Sequence, residues 1–249
     1  DIPEKGFKPR RLRAIPFTPS ADEEEAFETL DRILAASAER NGRKRSGDIV
    51  AMLLKKRFLS SPWAFATTMS LYDDATSGHG RWDEHGEDDE YYAEILGSDQ
   101  SDEEEGLAEH PEFDALRHSK ATNPLSAATP QDIAQLVAWG RGYQARPDSR
   151  LTALISWLEA IVRPGAHWTN ERVVIFTEYA TTLEWIVENL RQRGYDKNRL
   201  GVIQGSTDAE ERERIRAQFT TSPAEEPIRV LVATDSAGEG IDLQAYCHR

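Results

Sequence analysis

The spacing of hydrophobic positions divides the chain into two regions with different predicted structures. In the first half, apolar residues recur every three or four positions, as at Phe27, Leu30 and Leu34, which is typical of helices that bury one face. In the last third, continuous apolar runs such as RVVIF and IRVLVA alternate with amphipathic segments. Strands that alternate with helices pair in parallel through crossover helices. The pattern therefore predicts a mainly helical region followed by a doubly wound α/β domain.

Residues that favour helix termini stand before several of the predicted helices. Three capping signals precede such segments: Ser20 with Glu23, Thr129 with Pro130, and Thr207 with Glu210. Residues 47–72 predict a further helix that Pro62 bends or divides, because proline removes a helical hydrogen bond. This segment carries three consecutive basic residues, Lys55, Lys56 and Arg57. Such runs are usually solvated, and contact with phosphate is the alternative.

Negative charge is concentrated in one segment of the chain. The net charge is −14, yet residues 73–114 alone contain seventeen aspartates and glutamates and one arginine. The rest of the chain therefore carries a charge of about +2, which does not exclude a nucleic-acid partner. Charge runs and small residues predict a solvated, mobile insertion. A sharper interpretation is a negative flap that competes with nucleic acid for a basic groove.

These patterns predict four segments: a helical region at 1–72, an acidic insertion at 73–128, a helical connector at 129–147 and the α/β domain at 148–249. No apolar run approaches the roughly 18 residues that span a bilayer. The single cysteine, Cys247, fits a reducing, cytoplasmic compartment. The sequence begins at Asp1 without a methionine, so we expect a fragment of a longer protein.

No metal site or nucleophile is predicted. His79 and His85 stand beside acidic residues but have no second cluster of ligands. Cys247 and His248 indicate packing rather than catalysis, because no partner base accompanies them.

Three loops follow the three predicted strands and therefore lie at one edge of the predicted sheet. Their sequences are FTEYATT, QGSTDAEER and ATDSAGEGIDLQ. Ligands of open α/β sheets bind at this edge, where hydroxyl groups and helix N-termini donate hydrogen bonds to phosphate oxygens. A dinucleotide-binding loop is the alternative for the third loop, but Leu243 stands where that motif has its third glycine. The loops therefore predict a phosphate-binding edge.

Taken together, the loops resemble motifs of superfamily 2 helicases of the bacterial Swi/Snf type. VVIFTEYATTLEWI looks like motif IV, IQGSTDAEERERIRAQF resembles the motif that follows it, and VLVATDSAGEGIDLQ is similar to motif V. The resemblance covers about the last hundred residues. It implies an α/β, RecA-like (P-loop NTPase type) parallel sheet, with the chain holding most of the second RecA-like domain. RapA-like factors and DISARM-type phage-defence helicases are of this type, and the motifs do not choose between them.

The resemblance also implies roles for individual residues. Contacts with the phosphate backbone would come from Thr177, Gly205, Ser206, Thr234 and Gly238, and contacts with the nucleotide from Gly240 and Asp242. Arg212 and Asp235 would support these loops; a helix-surface ion pair and a cap of the loop are their alternative roles. Contacts to the backbone alone imply sequence-independent binding, and double-stranded DNA is the expected partner.

Other helicase motifs are missing from the sequence. It has no G-x-x-x-x-G-K-[ST] loop, no acidic Mg²⁺-binding box and no Q-x-x-G-R-x-x-R motif. By the resemblance, ATP and Mg²⁺ would be held mainly by a first RecA-like domain, and we expect this chain alone to be inactive. The implied function is that of part of an ATP-dependent nucleic-acid translocase or helicase. The alternative is a non-catalytic module whose helical region or acidic insertion binds a protein partner.

Overall fold

The computed structural model describes residues 12–41, 45–76, 125–234 and 246–247. The helices are α1 (Ala21–Asn41), α2 (Arg45–Ser60), α3 (Pro62–Thr76), α4 (Pro130–Arg141), α5 (Ser149–Val162), α6 (Ala180–Arg191) and α7 (Ala209–Thr220). The strands are β1 (Val173–Thr177), β2 (Leu200–Ile203) and β3 (Val230–Thr234), and a 3₁₀ turn, Pro164–Ala166, precedes β1. Most of the predicted acidic insertion lies outside the described residues.

Helices α1 to α4, called the helical unit below, share one apolar core. Its buried side chains include Leu30, Leu54, Phe65 and Leu136. Leu125, which precedes α4, is buried in the same core, so the segments on either side of the acidic stretch pack together. Helices α3 and α4 approach closely at Gly140, where a Cβ atom would lie 2.4 Å from the carbonyl oxygen of Pro62.

One detail of the predicted helices is confirmed and another differs in the structure. The segment predicted over 47–72 is divided at Pro62, as one of the two alternatives stated: α2 ends at Ser60 and α3 begins at Pro62. Phe27, predicted on the buried face of α1, is 39% exposed, while Ala26 is buried. The Phe27 ring still lies against Phe58, with 5.6 Å between ring centroids.

The capping predictions for α4 and α7 have different outcomes. Thr129 caps α4 as predicted: its hydroxyl accepts a hydrogen bond from the Asp132 backbone N–H at 3.1 Å, and the Asp132 carboxylate completes the capping box. The prediction that Thr207 caps α7 is wrong by one residue. Asp208 is the cap, with its carboxylate accepting from the Glu211 N–H at 2.9 Å. The Thr207 hydroxyl is used in the preceding turn instead.

The first turn of α1 connects the helical unit to the α/β domain. The Ser20 N–H donates to Glu23 Oε2 at 3.0 Å, which fits the predicted capping spacing. The other carboxylate oxygen of Glu23 accepts from the Ser149 N–H at 2.8 Å, at the start of α5. Asp22 accepts from the Tyr143 hydroxyl at 2.7 Å. Hydrogen bonds from the side chains of Ser20 and Tyr143 lower the pKa of Asp22.

The three strands form a parallel sheet in the order β1-β3-β2, with helices on both faces. On one face α5 and α6 pack against the strands through a core that includes Leu158, Leu183, Ile175 and Val232. On the other face α7 contributes Ile215 and Phe219, which pack with Ile203 and Leu231. The predicted doubly wound α/β arrangement is confirmed. Below, the carboxyl edge is the edge of the sheet where the strands end and the loops to α6 and α7 begin. The amino edge is the opposite edge, where the strands begin.

Candidate nucleic-acid interface at the carboxyl edge

The carboxyl edge places two predicted phosphate ligands on adjacent strands. Thr177 and Thr234 are the last residues of β1 and β3, and they are direct partners in the register of the ladder. Thr177 is half-buried, whereas Thr234 is only 1% exposed. The structure therefore leaves Thr177 partly accessible at this edge and encloses Thr234.

A tight turn between β2 and α7 carries the next two predicted ligands. The Thr207 hydroxyl accepts from the Gln204 N–H at 2.9 Å, and the Gln204 carbonyl accepts from the Thr207 N–H at 2.9 Å. These two bonds close the turn around Gly205 and Ser206. Ser206 is exposed, and its hydroxyl accepts from the Gln204 side-chain amide at 3.0 Å. Because β2 and β1 flank β3, the ends of these two strands lie at the same edge, roughly two strand spacings or 10 Å apart, and Ser206 follows the end of β2 there.

The remaining predicted site residues lie either on α7 or outside the described residues. Arg212 lies half-buried in the first turn of α7. Two exposed ion pairs lie on the same helix, Arg214 with Glu211 and Arg216 with Glu213. Of the five predicted site residues in motif V, all but Thr234 lie outside the described residues and stay predictions: Asp235, Gly238, Gly240 and Asp242.

The helical unit contacts the carboxyl edge through a buried arginine. The guanidinium carbon of Arg57 lies 3.6 Å from the centroid of the Tyr179 ring, in the loop between β1 and α6. Arg57 is 1% exposed and Tyr179 is 3% exposed. The third member of the basic run on α2 is therefore buried against an aromatic face, not displayed to solvent or to a phosphate.

Three further contacts join the end of α2 to the same loop and the first turn of α6. Lys56 Nζ lies 2.7 Å from Glu178 Oε1 in an exposed ion pair. The Thr182 hydroxyl lies 2.7 Å from the Ser60 hydroxyl and 3.0 Å from the Ser61 hydroxyl. These contacts join residues more than a hundred positions apart, so sequence reasoning missed them. One signal pointed to Arg57, since it stands three and four positions after the buried Leu54 and Leu53 and so on the apolar face of α2.

The amino edge contains buried arginines of a different kind. Arg172, at the start of β1, donates to the carbonyl oxygens of Phe219 and of Thr221, the latter at 2.5 Å. It also donates at 3.3 Å to the carbonyls of Gln218 and Ile228. The carbonyls of Gln218, Phe219 and Thr221 lie at and just beyond the end of α7, where the helix dipole favours a cation, and that of Ile228 lies shortly before β3. Arg172 is therefore a structural cap of α7.

Arg229, next to the start of β3, has the same kind of surroundings. Its guanidinium donates to the carbonyls of Glu226 and Pro223, both at 2.8 Å, and to that of Thr169. Burial lowers the pKa of Arg172 and of Arg229. Arginine nevertheless stays protonated in proteins, so both charges are held by backbone carbonyls.

Aromatic side chains complete the amino edge. The Arg163 guanidinium lies 5.0 Å from the Tyr195 ring centroid and 5.3 Å from that of Trp168. Arg199 covers Trp168 at 4.7 Å. Burial raises the pKa of the Tyr195 hydroxyl to about 12.

Neither a metal centre nor a membrane span is found in the part of the chain that the structure describes. There, no group of three His, Cys, Asp or Glu side chains could hold a metal ion, and every helix is too short or too polar to cross a bilayer. His79, His85 and His248 lie outside this part. Cys247 packs as predicted: its Sγ donates to the Arg172 carbonyl at 3.4 Å and contacts the core beneath α7.

Comparison with known proteins gives one family match, to the α/β part of the chain. Residues 153–248 match the helicase conserved C-terminal domain, a range that includes all three described strands with α6 and α7. Neither the curated proteins nor the solved structures give a match to the chain. The family match indicates a helicase-type, nucleic-acid-related function. A parallel sheet with helices on both faces is consistent with the RecA-like fold expected of this family, so the structure and the family match agree that residues 153–248 are similar to a helicase C-terminal domain.

Proposed function

We propose that this chain supplies the second RecA-like half of an ATP-dependent motor that moves along double-stranded DNA by gripping its phosphate backbone. The helicase domain at 153–248 supports the general class, and the resemblance to Swi/Snf-type motifs supports duplex translocation. The observation that carries the proposal is the carboxyl edge itself. There Thr177 ends β1 and Ser206 lies in the turn after β2, and each strand leads through a short connection into a helix N-terminus.

The chemistry of this edge suits phosphate oxygens. Thr177 and Ser206 carry hydroxyl donors, and the side chain of Tyr179, the N-cap residue of α6, makes no capping hydrogen bond to the first turn. Helix N-termini favour anions because their first amides and the helix dipole are positive. Such neutral donors fix the position of a backbone but do not read base edges. The proposed binding is therefore independent of sequence.

Two consecutive lysines on α2 form exposed ion pairs, and the second, Lys56, does so with a residue of the loop at this edge. Lys55 pairs with Asp31 at 2.5 Å, and Lys56 pairs with Glu178 at 2.7 Å. Exposed pairs of this kind are worth only about 0–1 kcal/mol. A DNA phosphate can therefore replace either carboxylate at little cost. Exchange of this kind adds a salt-dependent contribution to binding.

Nucleotide binding is the other half of the proposed function. By the resemblance, Gly240 and Asp242 would face a nucleotide held mainly by a first RecA-like domain, with Mg²⁺ bound there as well. ATP would supply the free energy that closes and reopens the two domains. The contribution of the residues described here is to hold the DNA backbone while the domains change their separation.

The first experiment removes the Thr177 and Ser206 hydroxyls. We expect Thr177→Val with Ser206→Ala to weaken binding of a fluorescent DNA duplex about tenfold, since each lost hydrogen bond costs about 0.5–1 kcal/mol. The slope of log K against log salt should stay unchanged, because no charge is removed. Fluorescence anisotropy at several salt concentrations measures both quantities.

A matched control removes the same two groups from the amino edge. Thr220→Val with Ser222→Ala takes away one threonine and one serine hydroxyl that bond only within their own helix end and turn. This control should bind the duplex like the wild type. Equal weakening in both double variants, or no duplex binding by the wild type, would contradict the proposal. Salt-insensitive capture of a protein partner would instead favour the interaction module.

A further inference from the structure

The loop that follows β1 is held by the helical unit at each of its residues. Only Glu178 and Tyr179 separate Thr177, the end of β1, from the first residue of α6. Lys56 pairs with Glu178, and Arg57 stacks on Tyr179. Two consecutive residues of α2 thus contact two consecutive residues of the loop. The conformation of the chain beside Thr177 depends on a helix that lies 122 positions earlier.

The two contacts differ in how firmly they can hold the loop. The Lys56 and Glu178 side chains are 43% and 49% exposed, so water screens their ion pair. Arg57 and Tyr179 are almost completely buried. A desolvated guanidinium 3.6 Å above an aromatic centroid interacts strongly with the ring face. Arg57 is therefore the contact that fixes the loop.

Neighbouring contacts prevent α2 from moving independently of this edge. Arg150, at the start of α5, donates to the carbonyl of Phe58 at 3.1 Å and also to that of Leu59. Its guanidinium also pairs with Asp148 at 2.9 Å. The end of α2 is thereby tied to the N-terminus of α5. A displacement of the helical unit would carry Arg57 with it and disturb the loop.

We propose that Arg57 is a positioning residue for nucleic-acid binding, which holds the loop after Thr177 through its stack on Tyr179 and so couples the helical unit to the carboxyl edge. This inference rests on the proposed function. Arg57 is too deeply buried to contact a phosphate itself. Its effect on binding must therefore pass through Thr177 and the N-terminus of α6.

The first test needs no nucleic acid. Amide hydrogen exchange over residues 177–183 should become about tenfold faster in Arg57→Met, because the loop loses its buried anchor. Tyr179→Leu should have the same effect, and Arg57→Lys, which keeps a cation over the ring, should recover part of the protection. The matched control is Arg163→Met, which removes an arginine–aromatic stack at the amino edge. It should leave exchange at 177–183 unchanged.

The second test is a double-mutant cycle in duplex DNA binding. Arg57→Met should weaken binding about fivefold at an unchanged salt slope, since no phosphate contact is removed directly. In the Thr177→Val background the same change should cost much less, because the hydroxyl that Arg57 positions is already gone. Arg163→Met should show no coupling to Thr177→Val. A general loss of stability would give additive effects instead.

The outcomes separate this inference from the function on which it rests. If the wild type binds no duplex, the proposed function fails, and the nucleic-acid role of Arg57 fails with it. If the wild type binds but Arg57→Met leaves both the exchange at 177–183 and the affinity unchanged, only the inference is overturned. Should Arg57→Met fail to fold, Arg57→Lys and Tyr179→Leu provide the same comparison.

Discussion

The two edges of the parallel sheet use polar side chains in opposite ways. At the amino edge, Arg172 and Arg229 are buried and donate to backbone carbonyls around the end of α7 and the start of β3. At the carboxyl edge, Thr177 is half-buried and Ser206 is exposed, and the buried cation, Arg57, comes from the helical unit. Donors that are hydrogen-bonded to backbone carbonyls stabilise the fold, whereas donors beside helix N-termini suit an anionic ligand such as a phosphate.

The largest expected effect concerns the amino edge. Arg172→Met should lower the free energy of unfolding by about 3 kcal/mol, because it leaves several buried carbonyls without a donor. Chemical denaturation measures this loss. Arg214→Met on the same helix removes an exposed arginine and should change stability by less than about 0.5 kcal/mol. Similar losses in the two variants would show that Arg172 is not a structural cap.

Alkaline pH should also weaken the amino edge. Burial raises the pKa of Tyr195 to about 12, so the folded state keeps a proton that the unfolded state loses near pH 10. The resulting stabilisation is complete below about pH 10 and is lost as the pH rises toward 12.

Tyr195→Phe isolates this contribution. The variant should lose less stability than the wild type between pH 10 and 12, by on the order of 1 kcal/mol. Tyr72 and Tyr143, whose pKa values burial also raises to about 12, remain in both proteins. Denaturation midpoints at pH 9 and at pH 11 measure the difference. Parallel pH profiles for the two proteins would rule out a contribution from Tyr195.

At the carboxyl edge a smaller loss is expected from the contact between the end of α2 and α6. Thr182→Val deprives the Ser60 and Ser61 hydroxyls of a partner in a buried site and should cost about 1 kcal/mol. Thr181→Val, one position earlier in the same turn, serves as the control in thermal unfolding. If Thr181→Val loses as much stability as Thr182→Val, the hydrogen bonds of Thr182 to Ser60 and Ser61 make no specific contribution to stability.

The smallest change in stability is expected at the exposed pair. Lys56→Gln should leave the free energy of unfolding within about 0.5 kcal/mol of the wild type, because the pair is screened by water. In duplex binding, however, it should reduce the salt slope by about 1 if Lys56 exchanges Glu178 for a phosphate. An unchanged slope would place Lys56 outside the interface.

The sheet and its carboxyl edge follow from local sequence patterns. Apolar runs such as that at Val173–Thr177 mark the strands, and parallel pairing then brings Thr177 and Ser206 to one edge. The start of α7 is less certain from sequence, because Thr207 and Asp208 are both good caps. The structure shows that Thr207 closes the turn with Gln204 and leaves the cap to Asp208.

The link between the two regions could not be predicted in the same way. Arg57 lies in a run of basic residues that ordinary sequence reasoning assigns to the surface. Its burial depends on Tyr179, which is far away in sequence and has no local feature that marks it as a partner. Contacts of this range are set by tertiary packing, not by periodicity or capping. Position on the apolar face of α2 was the only local sign.

The measurement that tests the central claim most directly is amide hydrogen exchange of this chain with and without a DNA duplex. The account predicts slower exchange on DNA binding at residues 177–183 and 204–209, and no change at 164–172 or 221–229 on the amino edge. Protection confined to the amino edge, or absent from both edges at saturating duplex, would contradict the assignment of the carboxyl edge as the nucleic-acid interface.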